Sequence, residues 1–156
     1  MNRLGWALGG LILAGCSGGE SLEPPELLLG VDECVECRMI VSDDRFAAAW
    51  VTRDPNGRLE KSVFDDLGCL LIYRQQRPGS ENLGEYVKDF ETRAWLDLAT
   101  AHLIRSEKLH SPMAFGIAAF ETAERADASL GRREGERVDI ATIRADPRPF
   151  LPEANH

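Results

Sequence analysis

Two cysteines and a methionine stand within one six-residue stretch, at Cys34, Cys37 and Met39. Thiolate and thioether sulfurs are soft ligands, which favour Cu(I), zinc or iron–sulfur clusters over hard ions. A C-x-x-C pair alone is ambiguous between metal binding and thiol–disulfide chemistry. The methionine favours copper, because a thioether is a poor ligand for zinc but suits Cu(I). The stretch therefore indicates a Cu(I) site, with a redox dithiol as the alternative.

Three residues elsewhere in the chain could complete such a site. Met113 lies between Pro112 and Gly116, in a predicted loop, where core packing is a weaker explanation for a methionine. His110 is a possible nitrogen ligand. Cys69 falls in a predicted apolar helix and is more often an inert buried thiol than a ligand, although it could supply a third sulfur. Together with the C-x-x-C pair, Cys69 and His110 would also suit a structural zinc ion.

The residues after Cys37 weaken the interpretation as a redox enzyme. A thioredoxin-like dithiol stands at the start of a helix, whose N-terminus lowers the pKa of one thiol. Here a short apolar run, 39–41, and a polar turn, 42–44, follow instead. The sequence contains no Ser-His-Asp order, phosphate-binding loop or H-E-x-x-H motif. We interpret the pair Asp65-Asp66 as a helix cap and expect a protein that is not an enzyme.

The N-terminus has the pattern of a bacterial lipoprotein signal. Arg3 precedes an apolar run, 4–13, that is too short to span a bilayer. Leu-Ala-Gly-Cys, ending at Cys16, resembles a lipobox, in which cleavage precedes a cysteine that becomes acylated. We therefore expect a signal peptide over 1–15, lipid attachment at Cys16 and a Gly- and Pro-rich tether over 16–30.

Charge and cysteine count fit an anchored protein outside the cytoplasm. The 156 residues carry a net charge of −8, which disfavours binding to nucleic acid. Three thiols remain after acylation of Cys16, and an odd number argues against a closed disulfide framework in an oxidising compartment. Ser17 favours outer-membrane sorting in proteins of Gram-negative type, so we expect the periplasmic side of the outer membrane.

Turn and cap signals divide the remaining chain into two similar halves. The first half predicts strands over 46–51 and 59–64 joined by an Asn-Gly turn, a helix from Asp65 or Asp66 to about Gln76, and a strand over 86–92. The second half predicts strands over 101–105 and 115–120, a helix capped by Thr122, and a strand over 138–143. We therefore expect an α+β domain over 31–144, made of two consecutive β-β-α-β units, and a disordered tail over 145–156.

The order of the motifs resembles that of the NosL family, the accessory lipoproteins of nitrous oxide reductase. The resemblance covers about residues 31–143. It rests on the lipobox, C-x-x-C-x-M-x-V, Phe64-Asp65-Asp66, Asp89-Phe90, Trp95-Leu96-Asp97, Ser111-Pro112-Met113 and Ala119-Phe120. Two positions depart from the family pattern: Arg38 and Ala114 stand where glycine is common beside the two methionines.

The resemblance implies a fold of two β-β-α-β units related to a domain of organomercurial lyase. It implies an extracytoplasmic chaperone that delivers Cu(I) for the copper–sulfur centre of nitrous oxide reductase. Its partners would be the reductase and a membrane-bound ABC-type maturation complex. The family's sulfur ligands map onto Cys34, Cys37, Met39 and Met113. The alternatives are a periplasmic thiol–disulfide oxidoreductase and a structural zinc-binding lipoprotein.

Overall fold

A computed structural model describes residues 21–147. After a short 3-10 turn at Asp44–Phe46, the regular elements are β1 (Ala48–Arg53), β2 (Leu59–Phe64), α1 (Leu67–Gln75), β3 (Glu81–Lys88), β4 (Trp95–Asp97), β5 (His102–Arg105), β6 (Ile117–Phe120), α2 (Ala123–Leu130), β7 (Glu136–Val138) and α3 (Ile140–Ala145). Over these described residues no helix is long and apolar enough to cross a membrane. The expected signal peptide, the lipidated Cys16 and the end of the expected tail lie outside the described residues.

The strands form two antiparallel sheets with the same core topology. The first sheet has the order β2-β1-β3-β4 and the second the order β6-β5-β7. In each half the first strand is central, its hairpin partner lies on one side, and the strand after the helix lies on the other. The α+β fold of two β-β-α-β units is therefore confirmed, with β4 and α3 added to it.

Local turn and cap chemistry explains why the hairpin and the first helix form where the sequence places them. Strands β1 and β2 pair antiparallel, from Ala48 opposite Phe64 to Arg53 opposite Leu59. Gly57 adopts a φ of 82°, which the hairpin turn requires and which glycine accepts without steric cost. Asp66 caps α1, because its carboxylate accepts a hydrogen bond from the N–H of Gly68 at 3.1 Å.

Two expected strands end earlier than the sequence pattern suggests. The strand expected over 138–143 is wrong beyond Val138, because the carboxylate of Asp139 accepts the N–H of Thr142 at 2.8 Å and caps α3. The strand expected over 86–92 runs instead from Glu81 to Lys88. It stops there because buried Asp89 accepts the N–H groups of Glu91 and Thr92 and turns the chain.

Asp89 also joins the two halves of the domain. Its second carboxylate oxygen accepts the N–H of Glu121 at 2.8 Å, and the neighbouring Phe90 donates its N–H to the carbonyl of Ala119. One apolar core extends across both halves, since Trp50 and Phe64 belong to the same buried cluster as Leu103 and Ile117. The first sheet and the second therefore pack as parts of one domain.

Candidate metal centre

Residues 34–39 form a tight loop, here called the cysteine loop, that brings both of its thiols to one place. The N–H of Cys34 donates to the carbonyl of Met39 at 2.8 Å, and the N–H of Arg38 donates to the carbonyl of Cys34 at 2.9 Å. Glu33 and Ile40 pair in an antiparallel bridge just outside the loop. Because the loop closes on itself, the positions of Cys34 and Cys37 are set by the local backbone.

Helix α1 supplies a third thiol and a carboxylate. Since Asp66 is the N-cap, Cys69 lies in the first turn of the helix and is buried. Asp65 precedes the cap by one residue and is not needed for it. Its Oδ1 instead accepts a hydrogen bond from the Sγ of Cys37 at 3.4 Å.

The side chains of Cys34, Cys37, Asp65 and Cys69 form a cluster, here called the Cys3Asp cluster, with one ligand atom of each within 4.8 Å of all the others. The three cysteines are free thiols. Only Cys37 is partly exposed, since the other three side chains are buried. The buried Oδ2 of Asp65 has no hydrogen-bond partner among the described residues. A buried carboxylate oxygen without a partner is costly, which is expected where a ligand completes the site.

Hydrogen bonding and burial give the three thiols different pKa values. The thiol of Cys69 donates to Cys34, and the backbone N–H groups of Cys37 and Asp65 add to that effect, so the pKa of Cys34 is lowered to about 6 against the opposing effect of burial. Burial raises the pKa of Cys37 to about 12. The bond that favours the Cys34 thiolate, followed by burial, raises the pKa of the Cys69 thiol. The cluster thus already stabilises one thiolate, the form that binds soft metals.

The loop that carries Met113 is attached to the start of α1. Asp66 Oδ2 accepts the hydroxyl of Ser111 at 2.6 Å and the N–H of Met113 at 3.3 Å. Desolvation raises the pKa of Asp66 to about 6. Gly68 allows close contact between helix and loop, because a Cβ at that position would lie 2.2 Å from the ring of Phe115. Met113 is therefore held at the helix end that carries the cluster.

The structure brings some of the residues expected at the site together and leaves others apart. Cys34 and Cys37 meet in the Cys3Asp cluster. Met113 is partly buried and packs against the apolar core that contains Cys34 and Cys69. Met39 is 51% exposed, and His110 is also exposed. The metal roles of Met39 and Met113 stay predictions.

The sequence pattern explains Asp65 as part of a helix cap and Cys69 as a core thiol, so Asp65 was not predicted as a ligand and Cys69 was predicted only as a possible third sulfur. A signal for both was present. One aspartate suffices to cap a helix, so the other member of the pair Asp65-Asp66 is free for another use. Asp65 and Cys69 are also four residues apart, a spacing that brings side chains together at a helix start.

The two positions that depart from the NosL pattern have an unusual backbone. Arg38 has a φ of 66° and Ala114 a φ of 58°, both in the left-handed region that favours glycine. Arg38 directly precedes Met39, and Ala114 directly follows Met113. The conformation explains why glycine is suited to both places, and this chain adopts it with non-glycine residues.

Comparison with known proteins supports the fold. No protein-family model matches the sequence, and no curated protein matches it. Among solved structures, the crystal structure of the copper chaperone NosL from Shewanella denitrificans superposes with a TM-score of 0.62. The match covers 78% of this chain and 96% of that one, at 14% sequence identity. A likeness at 14% identity concerns the fold alone, and it confirms that the fold is NosL-like.

Proposed function

We propose that this chain is a divergent NosL-type copper chaperone, a protein that binds Cu(I) and passes it on without catalysing a reaction. The observation that carries the proposal is the Cys3Asp cluster, in which three thiols converge within a fold shared with a copper chaperone. Thiolates are the preferred protein ligands of Cu(I). A site with three sulfurs therefore suits this ion.

The burial of the cluster fits a cargo site in which one of the four side chains is partly exposed. Cys34 and Cys69 are buried, which keeps water and oxidants away from two of the three sulfurs. Cys37 is partly exposed, so an incoming ligand can approach the metal from its side. In such a transfer a Cu–S bond to this chain breaks as a bond to the acceptor forms, and copper remains Cu(I) throughout.

The cellular setting in this proposal comes from the sequence. The lipobox supports acylation at Cys16 and an anchor on the periplasmic side of the outer membrane. The motif order that resembles NosL supports delivery for the copper–sulfur centre of nitrous oxide reductase. In that case the partners are the reductase and its ABC-type maturation complex.

Zinc is the second candidate, because Asp65 adds an oxygen ligand. Three thiolates and one carboxylate make a four-ligand set that suits tetrahedral Zn²⁺, whereas Cu(I) has little affinity for carboxylate. The structure therefore offers Asp65, and not the exposed His110, as the fourth ligand of a zinc site. A chain that binds zinc structurally would unfold when a chelator removes the metal.

A thiol–disulfide oxidoreductase is less well supported. Its attacking thiolate must reach a disulfide in another molecule. The thiol whose pKa is lowered is that of Cys34, which is fully buried, whereas the partly exposed thiol of Cys37 has a raised pKa. The accessible sulfur is thus the poorer nucleophile at neutral pH.

Anaerobic titration of the protein with Cu(I), in competition with a chromophoric Cu(I) chelator, tests the proposal. We expect one equivalent of Cu(I) to be retained, and we expect Cys34→Ser and Cys69→Ser to weaken retention by at least roughly tenfold. Met39→Leu with Met113→Leu measures the contribution of the thioethers. Failure of the unaltered protein to hold Cu(I) against the chelator would refute the proposal.

A further inference from the structure

Five exposed apolar side chains lie in the cysteine loop or beside it. Val31 is 68% exposed, Leu28 and Leu29 are 50% exposed, Met39 is 51% exposed and Ile40 is 47% exposed. We call these five residues the loop patch. Among the described residues, only one other large apolar side chain, Leu22, is exposed to a similar degree. Clustered exposure of this kind marks an interaction surface more often than scattered apolar residues do.

Backbone hydrogen bonds hold the two parts of the loop patch side by side. The N–H of Gly30 donates to the carbonyl of Val41 at 2.8 Å, and the N–H of Val41 donates to the carbonyl of Asp32 at 2.8 Å. The N–H of Val31 donates to the carbonyl of Leu28 at 3.0 Å. Residues 28–31 and 39–40 therefore form one ordered surface, which is continuous with the cysteine loop.

The loop patch adjoins the side from which the cluster can be reached. Cys37 is the partly exposed thiol, and Met39 of the patch follows it by two residues. A protein that takes the metal must bring its own ligand within bonding distance of the ion. An acceptor that approaches Cys37 contacts the cysteine loop, so Met39 and the adjoining Ile40 lie next to the point of contact.

The charged residues that are close to the loop patch in sequence are mostly acidic, and we call them the acidic rim. Residues 23–38 contain five acids, Glu23, Glu26, Asp32, Glu33 and Glu36, and a single base, Arg38. The Nη1 of Arg38 lies 3.7 Å from the Oε1 of Glu33, so part of the positive charge of Arg38 is compensated within the rim. Such a rim repels an anionic membrane and a second copy of this acidic chain, and it attracts a basic surface.

We infer that the loop patch is the docking surface for the copper-accepting protein, a partner with an apolar centre, a lysine- or arginine-rich rim and a sulfur or imidazole ligand between them. This inference rests on the proposed function and adds the surface through which it operates. Apolar side chains supply the contact area, and the acidic rim speeds and orients the encounter. The small, half-exposed patch suits a transient complex, as transfer requires.

Copper transfer to a protein and to a small molecule separates docking from binding. The double variant Val31→Ser with Ile40→Ser is loaded with Cu(I) and mixed with apo nitrous oxide reductase together with its ABC-type maturation complex. Leu22→Ser is the matched control, since Leu22 is 43% exposed and lies outside the patch. A chromophoric Cu(I) chelator serves as the small acceptor, which needs no docking surface.

We expect the double variant to transfer copper to the protein acceptor about tenfold more slowly. Transfer to the chelator should be unchanged, as should transfer by Leu22→Ser. Raising the salt concentration should slow transfer from the unaltered protein to the protein acceptor only.

The docking surface would be overturned if the double variant and the unaltered protein transferred copper to the protein acceptor at equal rates. It would also be overturned if the copper-loaded unaltered protein transferred no copper to that acceptor. Weaker binding to lipid vesicles with unchanged transfer would assign the patch to the membrane instead. Failure of the unaltered protein to bind Cu(I) at all would refute the proposed function itself.

Discussion

The Sγ of Cys37 donates a hydrogen bond to the Oδ1 of Asp65 at 3.4 Å, across 28 residues of sequence. This contact joins the cysteine loop to the start of helix α1 and places an oxygen beside three sulfurs. Because copper and zinc differ in their use of oxygen ligands, Asp65 is the residue whose removal should affect the binding of the two metals differently.

Asp65→Asn should separate the two metals. We expect Cu(I) affinity to change by less than about threefold, because Cu(I) is held by sulfur, whereas Zn²⁺ affinity should fall by at least about tenfold. Competition titrations with each metal provide the measurement. Asp127→Asn is a suitable control, since Asp127 is a largely exposed carboxylate that pairs with Arg137 on the surface. A large loss of Cu(I) affinity in Asp65→Asn would show that the carboxylate belongs to the copper site.

Gly68→Ala should destabilise the protein and disturb the cluster. The added Cβ would lie 2.2 Å from Phe115, so α1 and the Met113 loop must move apart, at a cost of about 1–3 kcal/mol. Chemical denaturation gives the free energy of unfolding, and Cu(I) titration reports on the cluster. Gly79→Ala is the matched control, because its Cβ would have nothing within 4 Å. Equal stability of the two variants would contradict the close contact.

Arg38→Gly and Ala114→Gly should each stabilise the protein. Both residues have positive φ, which costs a non-glycine residue roughly 1–2 kcal/mol, so each substitution should add about 0.5–1 kcal/mol after the extra freedom of glycine in the unfolded chain is counted. Thermal unfolding is the measurement. Ala128→Gly, at an exposed position of α2, should instead cost about 1 kcal/mol. A loss of stability at position 114 would argue against the left-handed conformation there.

Asp89 should make the contact between the halves sensitive to acid. Burial opposes ionisation of its carboxylate, but the N–H groups of Thr92, Glu121 and Glu91 donate to it and lower its pKa below the usual 3.8. A lowered pKa means that the stabilisation is present above pH 3.8 and is lost as the pH falls toward the lower value.

Asp89→Asn tests this link. The variant should lose on the order of 2 kcal/mol at neutral pH, because an amide group replaces one acceptor oxygen opposite buried N–H donors. Its stability should also fall less steeply than that of the unaltered protein below about pH 4. Urea unfolding at several pH values measures both effects. Parallel acid dependence in the two proteins would exclude Asp89 as a source of it.

The sequence predicted the parts of this fold that depend on short-range chemistry. The hairpin depends on the turn that ends at Gly57, and helix α1 depends on the cap at Asp66, so both formed where expected. The strand expected over 138–143 failed because Asp139 is also a strong helix cap, and it outweighs the β-branched residues after it.

The candidate site was less predictable, because it depends on tertiary contact. Cys34 and Cys37 were found from their spacing alone. Asp65 and Cys69 join them only because the cysteine loop packs on the first turn of α1, and no local pattern specifies that contact. The sequence around Cys69 is typical of an ordinary core thiol, and its burial alone is also typical of one.

X-ray absorption spectroscopy of the copper-loaded protein tests the central claim most directly, because it counts the sulfur atoms bound to the metal. We predict three sulfurs on Cu(I) in the unaltered protein and two in Cys69→Ser. A first shell made mainly of nitrogen or oxygen, or a sulfur count that does not change in Cys69→Ser, would contradict a copper site built from Cys34, Cys37 and Cys69.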